Sequence, residues 1–383
     1  MPVTPPISRR AFHEFLDALK DIDLDYLSDA RGITSEADIA EGQHYLTHLM
    51  KVGLEIALDN DENAPHFSSL ISPSQKFGGD GPDHYVFFAP INGQREYRIK
   101  GRRTGEVYIS FTVHTGDHGS LWGTGVVSEL NDNYIEFNDD GSYEILLSAD
   151  EQDGNWMYTD SDTICVITRH YFMNERAAVS DPDVNPVIGI DTITPSNPPL
   201  PLSGERFAKK LKTVTGYIKG HTVNRPLQNA DTVPNWFSLT PNVLPQPRTW
   251  ENTDGGGFGA VDAAYAACPF VLSDNEALLI EGVMPECRYA NITLWNRYLQ
   301  TFDHRFRQIG LNLTQLGLGA DRRYTIVIAH EDPGHKNWLH TEGRAYGTIY
   351  CRFLLAQETI DVPRCTVMQI DQLRSRFKNC PPS

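Results

Sequence analysis

A histidine stands directly after a predicted strand and beside two carboxylates. His330 follows the β-type run from Tyr324 to Ala329, and Glu331 and Asp332 come next. An imidazole that a carboxylate orients can act as a general acid or base near neutral pH. His330 is therefore the candidate catalytic residue. The alternative is that Asp332-Pro333-Gly334 builds a tight turn in which His330 satisfies a backbone group.

The connection over residues 295–305 supplies most of the other candidates. It combines aromatic rings, amides, a carboxylate and an arginine, the mixture that lines pockets with apolar walls and a few orienting polar groups. Asp303 is expected to orient His330 or to act as a second carboxylate, and Arg305 to bind substrate oxygens. The expected substrate contacts are Trp295, Asn296, Gln300, Asn337 and Trp338. The alternative for this connection is a solvated loop.

The sequence predicts neither a metal nor an organic cofactor. His330, His335 and His340 are five residues apart, a spacing that matches no standard zinc motif and that would alternate faces on a strand. They are interpreted as loop histidines. The chain also has no phosphate-binding loop, no dinucleotide fingerprint after a strand and no nucleophile elbow.

The bulk properties limit the partners. A net charge of −17 and a pI near 5.1 argue against nucleic acid and against anionic membrane surfaces, which both attract Lys and Arg. No apolar run is long enough for a membrane span, and the first residues lack the apolar core of a signal peptide. The six cysteines have no framework spacing, which favours reduced thiols. We expect a cytoplasmic protein whose partner is a small molecule, with a homo-oligomer as an open alternative.

Sequence periodicity divides the chain into helical and β-rich parts. Ser8 and Ser35 are predicted to cap two N-terminal helices that pack on the sheets, with Phe12, Phe15, Leu16 and Leu19 as the inner stripe of the first. Short β-type runs separated by turns follow and favour antiparallel sandwiches over βαβ units. The predicted parts are an N-terminal helical segment (1–62), a first β-sandwich unit (63–180), a Pro-rich connector with one helix capped by Ser203 (181–257), and a second unit (258–383).

The two β-rich regions correspond at a nearly constant offset. Residues 181 positions apart match in order along the chain, and the offset drifts by only a few residues elsewhere. The matched pairs include Gly101 with Gly282, Tyr108 with Tyr289, Tyr143 with Tyr324, Asn155-Trp156 with Asn337-Trp338, Arg169 with Arg352, and Asp83 with Asp262. Such order indicates an internal duplication. Residues found in both halves are expected to serve the shared fold, and residues peculiar to one half are the better functional candidates.

The second half contains strings that resemble a known family. They are Pro285-Glu286-Cys287-Arg288-Tyr289, Arg307-Gln308-Ile309-Gly310-Leu311-Asn312 and above all Ala329-His330-Glu331-Asp332-Pro333-Gly334 with Asn337-Trp338-Leu339. The first half resembles the same proteins through Gly79-Asp80-Gly81-Pro82-Asp83 and residues 97–103. The chain thus resembles the bacterial domain-of-unknown-function family 1214. This resemblance implies a jelly-roll β-sandwich and names no reaction.

The sequence therefore predicts a mainly β protein of two related jelly-roll-like sandwich units with an N-terminal helical segment. Its expected function is that of a cofactor-independent enzyme that acts by acid–base chemistry on a small, partly apolar organic metabolite. The alternative is a non-catalytic sandwich that binds a carbohydrate or a lipid-like ligand, an analogy at the level of the fold.

Overall fold

Four α-helices accompany the two β units. The computed structural model describes residues 5–72, 75–195, 201–251 and 257–379, so the predicted thiol Cys380 lies outside them. The helices are α1 (Ile7–Tyr26), α2 (Glu36–Gly53), α3 (Gly204–Gly220) and α4 (Ile370–Asn379). A π-helical segment, Leu54–Asp59, prolongs α2, and Asp29–Arg31 and Ala178–Ser180 form short 3₁₀ turns.

Two of the three predicted helix caps are confirmed. The hydroxyl of Ser35 accepts from the backbone N–H of Asp38, and that of Ser203 accepts from the N–H of Arg206. The third prediction is wrong, because α1 begins at Ile7 with Pro6 in the cap position.

The predicted inner stripe of α1 is confirmed at Phe15 and Leu19, which pack in the core, and wrong at Phe12 and Leu16. Phe12 and Leu16 are 46% and 47% exposed, whereas Ala11, Phe15 and Ile22 are buried. The reason is that α1 packs mainly on α3, which turns a neighbouring face of the helix inward.

The first unit is a sandwich of two sheets. Its strands are β1 (Ser68–Ile71), β2 (His84–Pro90), β3 (Tyr97–Arg102), β4 (Tyr108–Asp117), β5 (Trp122–Asn131), β6 (Ser142–Ser148), β7 (Trp156–Tyr158), β8 (Thr163–Tyr171) and β9 (Val187–Thr192). The order in the sheet that we call the first inner sheet is β1-β2-β8-β4-β5, and the first outer sheet has the order β7-β6-β3-β9.

The second unit repeats this topology. Its strands are β10 (Arg248–Thr249), β11 (Ala263–Val271), β12 (Glu276–Val283), β13 (Tyr289–Trp295), β14 (Gly310–Asn312), β15 (Arg323–Ala329), β16 (Trp338–His340), β17 (Tyr346–Leu354) and β18 (Arg364–Gln369). The second inner sheet has the order β10-β11-β17-β13-β14 and the second outer sheet the order β16-β15-β12-β18. Strand for strand, these are the orders of the first unit.

The correspondence extends to the register of the strands. Gly101 lies opposite Tyr143, and Gly282 lies opposite Tyr324. In both pairs the tyrosine ring covers the glycine so closely that a Cβ there would collide with it. A parallel strand pair also matches between the units, since Leu146 faces Trp156 and Val327 faces Trp338. The two predicted units are therefore related in structure as well as in sequence.

Two strands extend the units beyond the boundaries that the sequence predicts. β9 falls in the predicted connector but pairs along its whole length with β3 of the first unit. β10 likewise precedes residue 258 and pairs with β11 of the second unit. Both strands lie at sheet edges. Prolines and turns lie close to each of them in the sequence, and these residues obscured the strands.

The two inner sheets face each other, so the units stack as four layers of sheet. Tyr171 of β8 and Tyr289 of β13 bring their ring centroids within 5.0 Å across this contact. α2 and α3 cover the rest of the first inner sheet, where Leu49 and Tyr217 join Phe88 and Ile167 in one core. α4 covers the second outer sheet through Ile370 and Leu373. The interface between the inner sheets therefore encloses buried polar residues, among them Arg169 and Arg352.

No helix of the described residues combines the length and the apolar composition that crossing a bilayer requires.

Candidate functional site at the interface between the units

Two buried arginines hold the inner sheets together by reciprocal contacts. Arg169 of β8 donates to the carbonyl oxygens of Phe258 and Gly259 in the second unit. Arg352 of β17 donates to the carbonyl oxygen of Gly79 in the first unit, at 3.0 Å. Arg169 matches Arg352, and the acceptor residues Gly259 and Gly79 are 180 positions apart, close to the offset between the halves. Each unit therefore makes the same contact with the other, as in an approximate twofold arrangement.

Aromatic rings surround the guanidinium group of Arg352. It lies 5.6 Å from the ring centroid of Tyr171, 6.0 Å from that of Tyr265 and 5.0 Å from that of Tyr350. Among the described residues, neither Arg352 nor Arg169 forms an ion pair with a carboxylate. A buried cation without a counter-ion is costly, and here carbonyl oxygens and the faces of π systems replace the counter-ion.

On one side of the interface, which we call the closed side, both oxygens of the buried aspartate accept hydrogen bonds. The hydroxyl of Tyr289 donates to Asp83 Oδ2 at 3.1 Å, and Asn312 Nδ2 donates to Asp83 Oδ1 at 3.2 Å. Burial raises the pKa of the Asp83 carboxyl to about 7, although both hydrogen bonds and Arg352 act to lower it. The closed side thus places a carboxyl that titrates near neutral pH inside the interface.

On the twofold-related side, which we call the open side, one oxygen of the matched aspartate has no hydrogen-bond partner within the described chain. Asn131, the match of Asn312, donates to Asp262 Oδ2 at 3.2 Å and to Glu129 Oε1 at 2.7 Å. The twin of the Tyr289–Asp83 bond is missing there, because Tyr108 Oη and Asp262 Oδ1 are both buried and have no hydrogen-bond partner within the described chain. Ser110, which lies opposite Asn131 in the sheet, has a buried hydroxyl in the same condition.

The open side has the chemical properties of a binding site. Burial raises the pKa of Asp262 to about 6 and also raises the pKa of Glu129. A buried polar atom without a partner costs free energy that a correctly placed ligand group would recover. The side therefore offers hydroxyls and carboxylates from both units, beside the tyrosine rings, to one small molecule.

The structure does not join the residues of the predicted catalytic group. His330 Nδ1 lies 2.6 Å from Thr341 Oγ1, and its Nε2 is buried without a partner. Asp303 instead forms a two-pronged ion pair with Arg305 at the surface. Within the described chain, no hydrogen bond or ion pair connects His330 with Asp303 or Arg305, because the short-range pair Asp303–Arg305 satisfies both side chains locally.

The connection over residues 295–305 mainly attaches the second unit to the first. Asn296 Oδ1 accepts from the backbone N–H groups of Tyr298 and Gln300, which makes it part of a turn. Gln300 Nε2 donates to the carbonyl oxygen of Lys76. Trp295 stacks on Tyr350 at a centroid distance of 3.9 Å and donates to the carbonyl oxygen of Asp80. Trp295 thus belongs to the aromatic cluster of the interface, and Asn296 and Gln300 are positioned outside it.

Asn337 and Trp338 make the same contacts as their matches in the first unit. Asn337 Nδ2 donates to the carbonyl oxygen of Thr325, as Asn155 does to that of Glu144. The indole N–H of Trp338 donates to the carbonyl oxygen of Ala329, the position that matches Ser148, to which Trp156 donates. Because both units have these hydrogen bonds, Asn337 and Trp338 serve the shared fold.

The sequence interpretation missed the residues of the interface because they occur in both halves. Asp83 and Asp262, Tyr108 and Tyr289, and Arg169 and Arg352 were each matched and therefore assigned to the shared fold. A usable signal was present, since charged residues at matched positions of two β-rich units are unusual in a sandwich core. Within the described chain, no group of three His, Cys, Asp or Glu residues is arranged to hold a metal ion.

Comparison with known proteins identifies the relatives of the chain. The sequence model of a family described as proteins of unknown function (DUF1214) matches residues 89–174. This is the family that the sequence strings indicated, and the resemblance is confirmed. The matched region lies in the first unit, whereas the strings judged most specific lie in the second. No curated protein matches the chain.

The chain is similar to solved structures of two other proteins. A crystal structure of an uncharacterized protein from Burkholderia cenocepacia is 27% identical, with 94% of this chain and 97% of that chain covered and a TM-score of 0.80. The predicted fold class is confirmed by this likeness over nearly the whole chain. A protein from Vibrio parahaemolyticus is 12% identical over 85% of this chain and 96% of that chain, with a TM-score of 0.49.

The two sides should respond differently to loss of a tyrosine hydroxyl. Tyr289→Phe leaves the buried Asp83 with one hydrogen bond fewer and should lower the free energy of unfolding by about 1–3 kcal/mol. Tyr108→Phe removes a hydroxyl without a partner and should change it by less than about 0.5 kcal/mol, or raise it. Urea unfolding of both variants measures the difference. Equal losses would show that the two sides are equivalent.

The Asp83 carboxyl should make the stability depend on pH. Its pKa of about 7 in the folded protein lies above the value of about 3.9 expected in the unfolded chain. The stabilisation of the folded state that comes from the protonated Asp83 carboxyl is therefore complete below about pH 4 and is lost as the pH rises towards 7. The difference in unfolding free energy between the wild type and Asp83→Asn should fall from pH 5 to pH 7 and then level off.

Asp303→Asn is the control for this pH dependence. The hydrogen bonds from Arg305 lower the pKa of Asp303 to about 2, so its contribution is constant above about pH 5. If the difference in unfolding free energy between the wild type and Asp83→Asn stays constant between pH 5 and pH 8, the Asp83 carboxyl does not have a raised pKa.

Proposed function

We propose that this member of the DUF1214 family, a family of proteins of unknown function, binds a small, partly apolar organic molecule between its two β-sandwich units. The observation that carries the proposal is the convergence of buried, unpartnered polar atoms from both units on one aromatic interface. Tyr108 Oη and Ser110 Oγ come from the first unit, and Asp262 Oδ1, Asn291 Oδ1 and Arg352 Nε come from the second.

The surroundings of these atoms support a ligand of mixed character. Tyr108, Tyr171, Tyr265, Tyr289 and Tyr350 belong to one buried cluster. Aromatic walls with a few convergent polar groups are typical of small-molecule sites, which also favour the contact between two domains. The rings would cover the apolar part of the ligand, and the unpartnered atoms would bind its polar groups.

Acid–base catalysis on the same molecule is the second candidate function. It is favoured by the two matched carboxyls, since burial raises the pKa of Asp83 to about 7 and that of Asp262 to about 6. A carboxyl that titrates near the working pH can both accept and donate a proton. Turnover of a metabolite mixture that persists in His330→Ala and stops in Asp262→Asn would favour this candidate over binding alone.

A cytoplasmic location forms part of the proposal. Cys165, Cys268 and Cys351 are buried free thiols, and Cys287 and Cys365 are partly buried free thiols, as expected of a protein in a reducing compartment. The proposal requires no partner subunit, because both units that form the interface belong to one chain.

Saturation-transfer NMR tests the proposed function directly. The probes are benzylamine, benzyl alcohol, benzoate and methyl β-glucoside, and at least one of the aromatic probes should bind the wild type. Binding should be lost in Tyr108→Phe/Asp262→Asn or in Tyr289→Phe/Asp83→Asn, because both double variants keep the shape of the interface and change its polar groups.

The matched control is His330→Ala, which lies outside the interface and should bind like the wild type. If no probe binds, or if binding survives both double variants, the proposed site is wrong. Loss of binding in His330→Ala alone would return the site to the residues first predicted from the sequence.

A further inference from the structure

The exchange of contacts between the units is broken at a matched tyrosine–aspartate pair, and the break points to a ligand. On the closed side the hydroxyl of Tyr289 donates to Asp83. On the open side the matched hydroxyl of Tyr108 makes no hydrogen bond within the described chain, and neither does Asp262 Oδ1, although the tyrosine is fully buried.

We propose that the open side is a binding site for a small organic amine, whose ammonium group lies between Asp262 and Tyr108 and takes the position of the missing hydrogen bond. This inference rests on the proposed function, because it specifies the place and the chemical class of the ligand within the same interface.

The polar groups of the open side are those that an ammonium group requires. Asp262 and Glu129 are carboxylates held on either side of Asn131 Nδ2. The hydroxyls of Tyr108 and Ser110 are free to accept. An ammonium group carries three N–H donors and no acceptor, so it can satisfy these oxygens together.

Glu129 is peculiar to the first unit, which separates the open side from the closed side. It lies opposite Thr112 in the sheet, whereas the matched Thr293 lies opposite Gly310. At this register position the open side therefore adds a second carboxylate to Asp262, and a second negative charge favours a cation there.

A carboxylate ligand does not fit the open side. The guanidinium group nearest to it, that of Arg169, already donates to Thr112 Oγ1 and to the carbonyl oxygens of Phe258 and Gly259. A ligand carboxylate would meet Asp262 and Glu129 without a free cation to offset them. Like charges at close range in a buried site are strongly unfavourable.

Aromatic side chains beside the open side can pack against the apolar part of the amine. The ring of Tyr108 lies 5.8 Å from that of Tyr171, and both belong to the cluster that contains Tyr265 and Trp250. Tyrosine and tryptophan faces attract cations as well as apolar groups. An aromatic or branched aliphatic primary amine therefore matches the site in both its parts.

Isothermal titration calorimetry at pH 8, where Asp262 is ionised, tests this inference with benzylamine, benzyl alcohol and benzoate as probes. Benzylamine should bind the wild type at least about tenfold more tightly than either of the other two. Tyr108→Phe and Asp262→Asn should each weaken benzylamine about tenfold or more. The control Asp303→Asn, at the surface, should change its affinity less than about threefold. The matched variants Tyr289→Phe and Asp83→Asn should each weaken benzylamine less than Tyr108→Phe and Asp262→Asn do.

The outcomes separate this inference from the proposed function. Binding of benzyl alcohol or benzoate in preference to benzylamine overturns the ligand class and leaves the interface site standing. Benzylamine binding that is weakened equally by the matched variants overturns the assignment to the open side. If none of the three probes binds the wild type, the proposed function fails and the inference fails with it. Urea unfolding of each variant confirms that a loss of affinity is measured on folded protein.

Discussion

The structure depends on two guanidinium groups that cross between the units and end on backbone carbonyl oxygens. Arg169 reaches Gly259, and Arg352 reaches Gly79. Each arginine lies in the middle of an inner sheet, so neither can return to water without separating the sheets. Burying two cations is unfavourable unless polar groups compensate them, and in the described chain the carbonyl oxygens that accept from them belong to the other unit. This exchange fixes the relative position of the two sandwiches.

Because the arginine contacts fix the two sandwiches, the interface can keep buried polar groups at defined positions. The closed side shows the state in which the groups satisfy one another, with Asp83 bonded to Tyr289 and Asn312. The open side keeps the matched residues in the same sheets but leaves Tyr108 and Asp262 apart. A duplicated protein can thus retain one copy of an interaction for its stability while the other copy becomes available to a ligand.

The sequence predicted the fold well because its signals can be read from the order of residues alone. Alternating β-type runs and the caps at Ser35 and Ser203 depend on neighbouring residues, and the constant offset between the halves requires only a comparison of the chain with itself. The stripe of α1 failed at Phe12 and Leu16 because the partner of the helix, α3, lies far along the chain. The boundaries at β9 and β10 failed for a similar reason, since both are edge strands that only pairing defines.

The candidate site could not be predicted by comparing the two halves residue by residue. That comparison assigns identical residues to the shared fold, and for Asn337 and Trp338 the contacts agree with it. It fails at Tyr108 and Asp262, because these have the same identity as Tyr289 and Asp83 but a different hydrogen-bonded state. The expected pairing of His330 with Asp303 failed because Thr341 and Arg305 are the partners that the strand register and the local turn supply.

The most direct test of the central claim, that the open side alone is free to take a ligand, is crystallographic. Crystals soaked with 4-bromobenzylamine at pH 8 would be measured at the bromine absorption edge. We expect an anomalous peak beside the rings of Tyr108 and Tyr171, with the amine nitrogen in contact with Asp262 and no peak beside Asp83. A bromine peak at the closed side or beside His330, or an interface without any peak, would contradict the claim.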